Sequence, residues 1–499
     1  LVTDLSLGKL AAFPASRDRV ALSPVAALGV SAVGLGCGLQ VNFGQYDPTA
    51  LAYLGLAIVA GVVGLAGIAR GEGSGRGVVP VLVAGLVVQF FVLICSNPMA
   101  TLRVTSPGQL LVFRSGVLCA GVLAALALNG GRWGRVGWWL VLATHFLLGL
   151  WVLRAMPQPG VDVCLFQREA AEALSRGHNP YAMTFANLYP DAGRVYGAGT
   201  FAADRLLFGY PYPPLSLLLV LPGHLLGDFR LSHLVATTAA GGLIAAARPG
   251  RVATAGAALF LFTPRGFFVL EAGWTEPMAV MLLAVVVFVA CRRRDSVGAD
   301  PRVRPGPANG QGGHGGPPLQ SPAKRALRWV EIWSLPVALG LLLVVKQYLI
   351  LIAPLAVVLL PGSGRFRLRA VIATAAIVTL PLALWNLGPF VWSVCLLQFR
   401  QPMRADALSF LPLLAGVTRA PGAGVVPFVA AAGVAAWAGL RCPRTPGAFA
   451  AASAVMFLLF FALNKQAFCN YYFFVIGGLC CAIAAANPAE RPSENELTI

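Results

Sequence analysis

Asp162 opens the segment DVCLFQREAAEALSRG, in which Val163, Phe166, Ala170 and Ala173 fall on one helical face. A carboxylate at the start of such an interfacial amphipathic helix is placed to take a proton from a substrate hydroxyl. Asp is also a favoured helix N-cap, and the two roles are compatible. Glu271 and Glu276 lie in EAGWTEP. Ionisable groups at membrane depth are costly and need a functional or pairing reason. These two carboxylates suit substrate hydroxyls, an ion pair with a neighbour such as Arg265, or, for Glu276, the orientation of Lys346. Lys346 interrupts the apolar run around VVKQYL and suits a lipid phosphate; snorkelling to the interface is the alternative. Arg400 and Arg404, in QFRQPMRADALS, carry planar forks that bind phosphate oxygens through paired hydrogen bonds. Pairing of Arg404 with Asp406 is the competing reading. NKQAFCNYY adds Lys465 and Asn470 as polar candidates, while Tyr471 and Tyr472 read as an interfacial aromatic belt. No CxxC pair or Cys/His ligand spacing occurs, and many of the ten cysteines sit within apolar runs, so neither a metal nor a cofactor is expected.

The elements that must carry these residues are membrane helices. The 499-residue chain is 58% hydrophobic and 11% charged, with a mean hydropathy of +0.75. Soluble domains carry roughly a quarter of their residues as charges. Apolar runs of roughly 16–20 residues recur from end to end, about enough to cross ~30 Å of hydrocarbon. They do not alternate as barrel strands would, so they predict helices with internally satisfied backbones. The net charge of +18 lies largely in short loops, which is the positive-inside pattern and not a nucleic-acid surface. The expected fold is therefore all-α and polytopic, with about 14 spans.

Basic segments at 70–76, 132–135, 291–328, 365–369 and 441–444 are assigned to the cytoplasm with both termini. Residues 1–155 then hold about five helices, near 20–39, 49–69, 78–97, 109–129 and 136–155. They bring the chain outside for a loop at 156–210 that holds the amphipathic helix; 389–409 and 464–470 are outside too. Between 211 and 291 parity requires an odd number of crossings, and 252–270 is expected to dip in without crossing. Residues 292–329, rich in Gly, Pro and Arg, read as a disordered cytoplasmic linker, and 330–487 as C-terminal spans before a tail at 488–499. The stretch 330–361 is short for two crossings and is expected to break near Lys346.

Taken together, DVCLFQREAAEALSRGHNPY, YPYPPLSLLL, GWTEP, KQY, QFRQPMRADALS and NKQAFCNYY resemble the polyprenol-phosphate-mannose-dependent mannosyltransferases. These are GT-C membrane glycosyltransferases (glycosyltransferase family 87), and the resemblance covers about residues 156–487. The Ala/Gly/Arg/Val-rich composition is similar to that of high-GC actinobacterial chains. The resemblance implies a bacterial inner-membrane enzyme that takes a sugar, mannose in the first instance, from a polyprenyl phosphate on the extracytoplasmic side. The acceptor would be a cell-envelope glycolipid or glycan, and the transfer would invert the anomeric centre. Asp162 would be the general base, and Lys346, Arg400 and Arg404 would hold the donor phosphate. Glu271, Glu276, Lys465 and Asn470, with Asn179 and Tyr181 of the NPY turn, would bind substrate. Membrane lipids are the expected partners, and no nucleic acid is. The class places its catalytic loop after the first span, whereas about five precede it here, so the N-terminal four helices would be an added module. An arabinofuranosyl transferase using the same lipid-phosphate logic, or a lipid flippase or transporter, are the alternatives.

Overall fold

The structure, a computed structural model, describes residues 22–72, 77–97, 107–298, 322–360, 364–411 and 423–486. The chain is an all-α polytopic membrane protein. Seven described helices are long and apolar enough to cross a bilayer, or up to eight if one sharply bent pair is counted as a span.

The first five helices are α1 (Pro24–Val41), α2 (Pro48–Ala69), α3 (Val78–Cys95), α4 (Pro107–Leu128) and α5 (Gly131–Ala155). Their starts are written locally. Ser23 and Asp47 accept hydrogen bonds from the first-turn amides of α1 and α2, and a proline follows each cap. Small residues let α1 and α2 pack closely: Ser31 donates to the Ala57 carbonyl at 2.7 Å, and Gly38 lies against the Tyr53 side chain. Gly130 and Gly131 have positive φ and make the α4–α5 connection tight. As a result Arg132 and Arg135 lie inside the first turns of α5, not in the loop expected for them.

The segment after α5 carries α6 (Asp162–Ser175), the short α7 (Ala192–Val195) and a three-stranded sheet of two-residue strands. These are β1 (Phe185–Ala186), β2 (Phe201–Ala202) and β3 (Arg205–Leu206), in the antiparallel order β1-β3-β2. Of the face expected on α6, Val163, Phe166 and Ala170 are buried, and Ala173 is partly so.

Next come α8 (Pro214–Leu225), α9 (Arg230–Ala247), α10 (Arg251–Leu261), α11 (Gly266–Glu271) and α12 (Glu276–Gly298). Residues 252–270, expected to dip in and return, form α10 and α11, and α10 is shorter than a membrane span. Phe260 packs on Phe473 and Gly256 lies against Ile483, so α10 runs antiparallel to the C-terminal helix. Its far end meets Asn97, whose carbonyl accepts from Arg265 at 2.9 Å. A sharp corner lies earlier in the chain, where α8 meets α9 at 110°. Arg230 fastens that corner. Its buried guanidinium donates to the carbonyls of Leu153, Met156, Pro157 and Glu271 and pairs with Asp228 at 2.7 Å. In this way it satisfies carbonyls that the end of α5 leaves open.

The remaining helices are α13 (Pro322–Leu343), α14 (Ala356–Leu359), α15 (Gly364–Trp385), α16 (Leu387–Phe390), α17 (Leu397–Arg400), α18 (Val426–Arg441), α19 (Pro446–Ala462) and α20 (Cys469–Ala486). A 3-10 segment, Gln347–Leu355, follows α13 directly after Lys346, where the break is expected. A π-helical turn, Val391–Leu396, joins α16 to α17, so much of the expected loop 389–409 is helical. The flanks of the expected linker are helical as well, since α12 reaches Gly298 and α13 begins at Pro322. Residues 299–321 and the tail 488–499 lie outside the described residues.

Replacing Arg230 with Ala should strip five groups of their partner at once and cost about 3 kcal/mol, the scale for removing one member of a buried charged network. The midpoint of thermal unfolding in detergent measures this. A midpoint unchanged from the wild type would show that the corner does not depend on Arg230.

Candidate functional site

At one end of the bundle the α5–α8 segment, the α13 break, the 397–404 stretch and the start of α20 enclose a cavity of about 320 Å³. Asp162 reaches it from the first position of α6. Val161, not Asp162, is the N-cap, which corrects the capping alternative. The Asp162 carboxylate has two donors: Oδ1 accepts from the Val163 amide at 2.8 Å, and Oδ2 from the Tyr196 hydroxyl at 2.7 Å. The surrounding protein raises the Asp162 carboxyl above the usual range by desolvation, and Tyr196, Val163, Tyr189 and the positive Arg404 pull it back only in part. Burial and the charge of Asp162 push the Tyr196 phenol upward, so it stays a donor.

Tyr196 is set by close backbone contact. A Cβ on Gly197 would come within 1.8 Å of the Arg400 carbonyl oxygen, so only glycine allows this approach. The segment is also docked on the π-helical turn: Ser393 Oγ accepts from the Gly209 amide at 2.9 Å, and Trp392 Nε1 donates to the Leu207 carbonyl at 3.0 Å.

Arg404 lines the same cavity. It makes a two-point pair with Asp406, Nε to Oδ1 at 2.8 Å and Nη2 to Oδ2 at 2.6 Å, and lies 5.0 Å from the Phe468 ring centre. The pairing alternative therefore holds, while Nη1 is not used by Asp406. Asp406 raises the guanidinium pKa further, which keeps the charge fixed.

Lys346 lines the cavity from the α13 break. Its Nζ lies 3.0 Å from Glu276 Oε1, donates to Thr275 Oγ1 at 2.6 Å and sits 4.3 Å from the Tyr212 ring centre. Glu276 is the first residue of α12 and fully buried, where the positive end of the helix favours a carboxylate. Asn470, on the cavity wall, donates to the same Oε1 at 2.8 Å. Glu276 thus orients Lys346 and Asn470 and is not itself on the wall.

The other sequence candidates stand further off. The Arg400 side chain is exposed and not on the cavity wall. Lys465 braces the 399–401 turn by donating to the Phe399 and Gln401 carbonyls at 3.3 and 2.6 Å. Asn179 accepts from the Tyr181 amide at 2.8 Å, and the buried Tyr181 donates to the Tyr212 carbonyl at 3.0 Å, so the NPY turn supports Tyr212 from behind. Glu271 is buried at the end of α11. Residues that sequence reasoning missed are Tyr189, Tyr196, Tyr212, Trp274 and the glutamines 45, 398, 401 and 466, all on the wall. Tyr189 and Tyr196 had no local signal to set them apart, since the same loop also holds Tyr181, Phe185, Phe201, Phe208, Tyr210 and Tyr212.

No protein-family model matches the sequence, and no curated protein or solved structure matches the chain. What the cavity can do is read from its groups: an ionisable carboxylate held by two donors, and two fixed cations on neighbouring walls.

Because the folded Asp162 carboxyl is raised above its value of 3.8, its ionisation costs stability. The contribution is complete below that value and is lost as pH rises through the raised one. Asp162→Asn keeps an acceptor for Tyr196 without the charge. It should melt above the wild type at neutral pH, and the two should converge toward pH 4 in a detergent melting series. A variant that melts below the wild type at neutral pH would contradict the raised value.

Proposed function

We propose that the chain is a GT-C-type membrane glycosyltransferase that moves a sugar, mannose in our reading, from a polyprenyl phosphate to a hydroxyl of a cell-envelope glycolipid or glycan. We read α1 to α5, α9, the α10–α11 pair, α12, α13, the 347–359 arm, α15 and α18 to α20 as about fourteen passes, with the cavity on the extracytoplasmic face of a bacterial plasma membrane. The observation that carries the proposal is the Asp162 carboxylate, held by the Tyr196 hydroxyl and the Val163 amide, in one cavity with Arg404 and Lys346. A positioned base, near cations that suit a phosphate, is the pairing that transfer from a sugar phosphate ester requires.

In this mechanism the acceptor oxygen attacks the anomeric carbon as its proton passes to Asp162. The bond from that carbon to the phosphate oxygen breaks on the opposite face, so the centre inverts and polyprenyl phosphate departs with the electron pair. Tyr196 and the Val163 amide hold the carboxylate ionised and aimed. Arg404, through the edge not taken by Asp406, and Lys346 stabilise the charge that grows on the phosphate. Both cations act with their fields reduced by a paired carboxylate, Glu276 for Lys346 and Asp406 for Arg404.

Purified protein in liposomes, given radiolabelled polyprenyl-phosphate mannose and a membrane lipid extract, should form a labelled glycolipid. Asp162→Asn should lower the rate by roughly 10²–10⁴-fold, the worth of a positioned base. A variant as fast as the wild type would remove Asp162 from the mechanism. Absence of transfer from both mannose and arabinose donors would overturn the transferase reading, and donor lipid crossing the bilayer unreacted would put a transporter in its place.

A further inference from the structure

A second and larger cavity, about 770 Å³, lies between α6, the last turn of α5 and the α8–α9 corner. Cys164, Arg168, Glu172 and Arg176 line it at four-residue spacing, one row along α6. The charges around it divide into two sets. Glu172 is engaged by Arg176 at 2.5 Å and by His224 at 3.0 Å, and Asp228 by Arg230, whose remaining donors are closed off by carbonyls. Arg154 and Arg168 are exposed on the wall and make no side-chain hydrogen bond or ion pair with the described residues. Glu169 is the one carboxylate lining the cavity that is likewise unengaged among the described residues.

An apolar lip adjoins this charged pocket. Leu225 and Leu226, at the α8–α9 corner beside His224, are 75% and 78% exposed. Leu147, two turns before Arg154 on the same face of α5, is 64% exposed. Guanidinium forks without carboxylates bind phosphate oxygens, and apolar side chains at the rim of such a pocket bind hydrocarbon. We infer that this cavity holds the phosphate of a membrane phospholipid headgroup on Arg154 and Arg168, with its acyl chains along Leu225, Leu226 and Leu147. Glu169 accepts from a hydroxyl or ammonium of the headgroup. A free phosphate would satisfy the arginines but would leave the leucines without an occupant. The site is separate from the Asp162 cavity and stands whether or not sugar transfer occurs there, although α6 is a wall of both.

The test uses the whole chain purified in detergent with added phosphatidylglycerol, washed, and weighed by native mass spectrometry. The wild type should retain about one phospholipid more than Arg154→Gln/Arg168→Gln, whose exposed positions leave the fold intact, as an unchanged melting midpoint would verify. Leu225→Ser/Leu226→Ser should also lose the lipid while its arginines remain. Equal retention by the wild type and the arginine variant overturns the proposal. Displacement of the wild type's lipid by inorganic phosphate, with retention in the leucine variant unchanged, assigns the site to a free anion and overturns it as well.

Discussion

Hydrocarbon cannot solvate a charge, and the buried pair between Lys346 and Glu276 is where this fold meets that constraint. Each residue would be untenable alone at full burial. Together they draw four parts of the chain to one point: the break after α13 that frees Lys346, Thr275 and Glu276 at the start of α12, the start of α20 that supplies Asn470, and the Tyr212 ring. The floor of the cavity is this cluster. Pairing lets a cation stand at the edge of an apolar bundle, and the pair's near-zero net charge leaves room for a second cation, Arg404, on the wall.

The roof obeys a different logic. The segment between α5 and α8 has little regular structure, yet close backbone approaches and buried hydrogen bonds hold it down. Gly197 sits on the Arg400 carbonyl, Gly209 on the Tyr181 carbonyl, and Ser393 and Trp392 bond its backbone from the π-helical turn. A π turn widens a helix locally and is often found where a side chain must be turned toward a site. Here it frees polar groups to dock the loop that delivers Tyr196 to Asp162. Arg230 does comparable work at the other end of the segment by joining α5, α9 and α11.

Much of this was legible from residues alone. Long apolar runs and cap-proline pairs mark α1 and α2, and the length of 330–361, too short for two crossings, marks the break at Lys346. Asp162, Lys346, Arg404 and Asn470 were all singled out in the sequence, and all line one cavity. What stayed hidden was pairing across distance. Orientation of Lys346 by Glu276 is one alternative the sequence offers, but Asn470, 194 positions from Glu276, joins the pair at a separation that no local pattern encodes. Tyr196 was invisible for the same reason. The sharp bend between α8 and α9 left no mark in the sequence because hydropathy reports how apolar a helix is and not its direction. Arg132 and Arg135 looked like loop residues because charge dominates their surroundings, whereas the two glycines before them let the helix begin early.

If Asp162 and Arg404 act on one substrate, a bound donor must span them. The most direct measurement is an electron cryomicroscopy structure of the Asp162→Asn protein with polyprenyl-phosphate mannose. The phosphate should lie within hydrogen-bonding reach of Arg404, and the anomeric carbon should face residue 162 at about 3–3.5 Å plus the room for an acceptor oxygen. A donor bound with its phosphate away from Arg404, or its sugar turned from residue 162, would contradict the shared site.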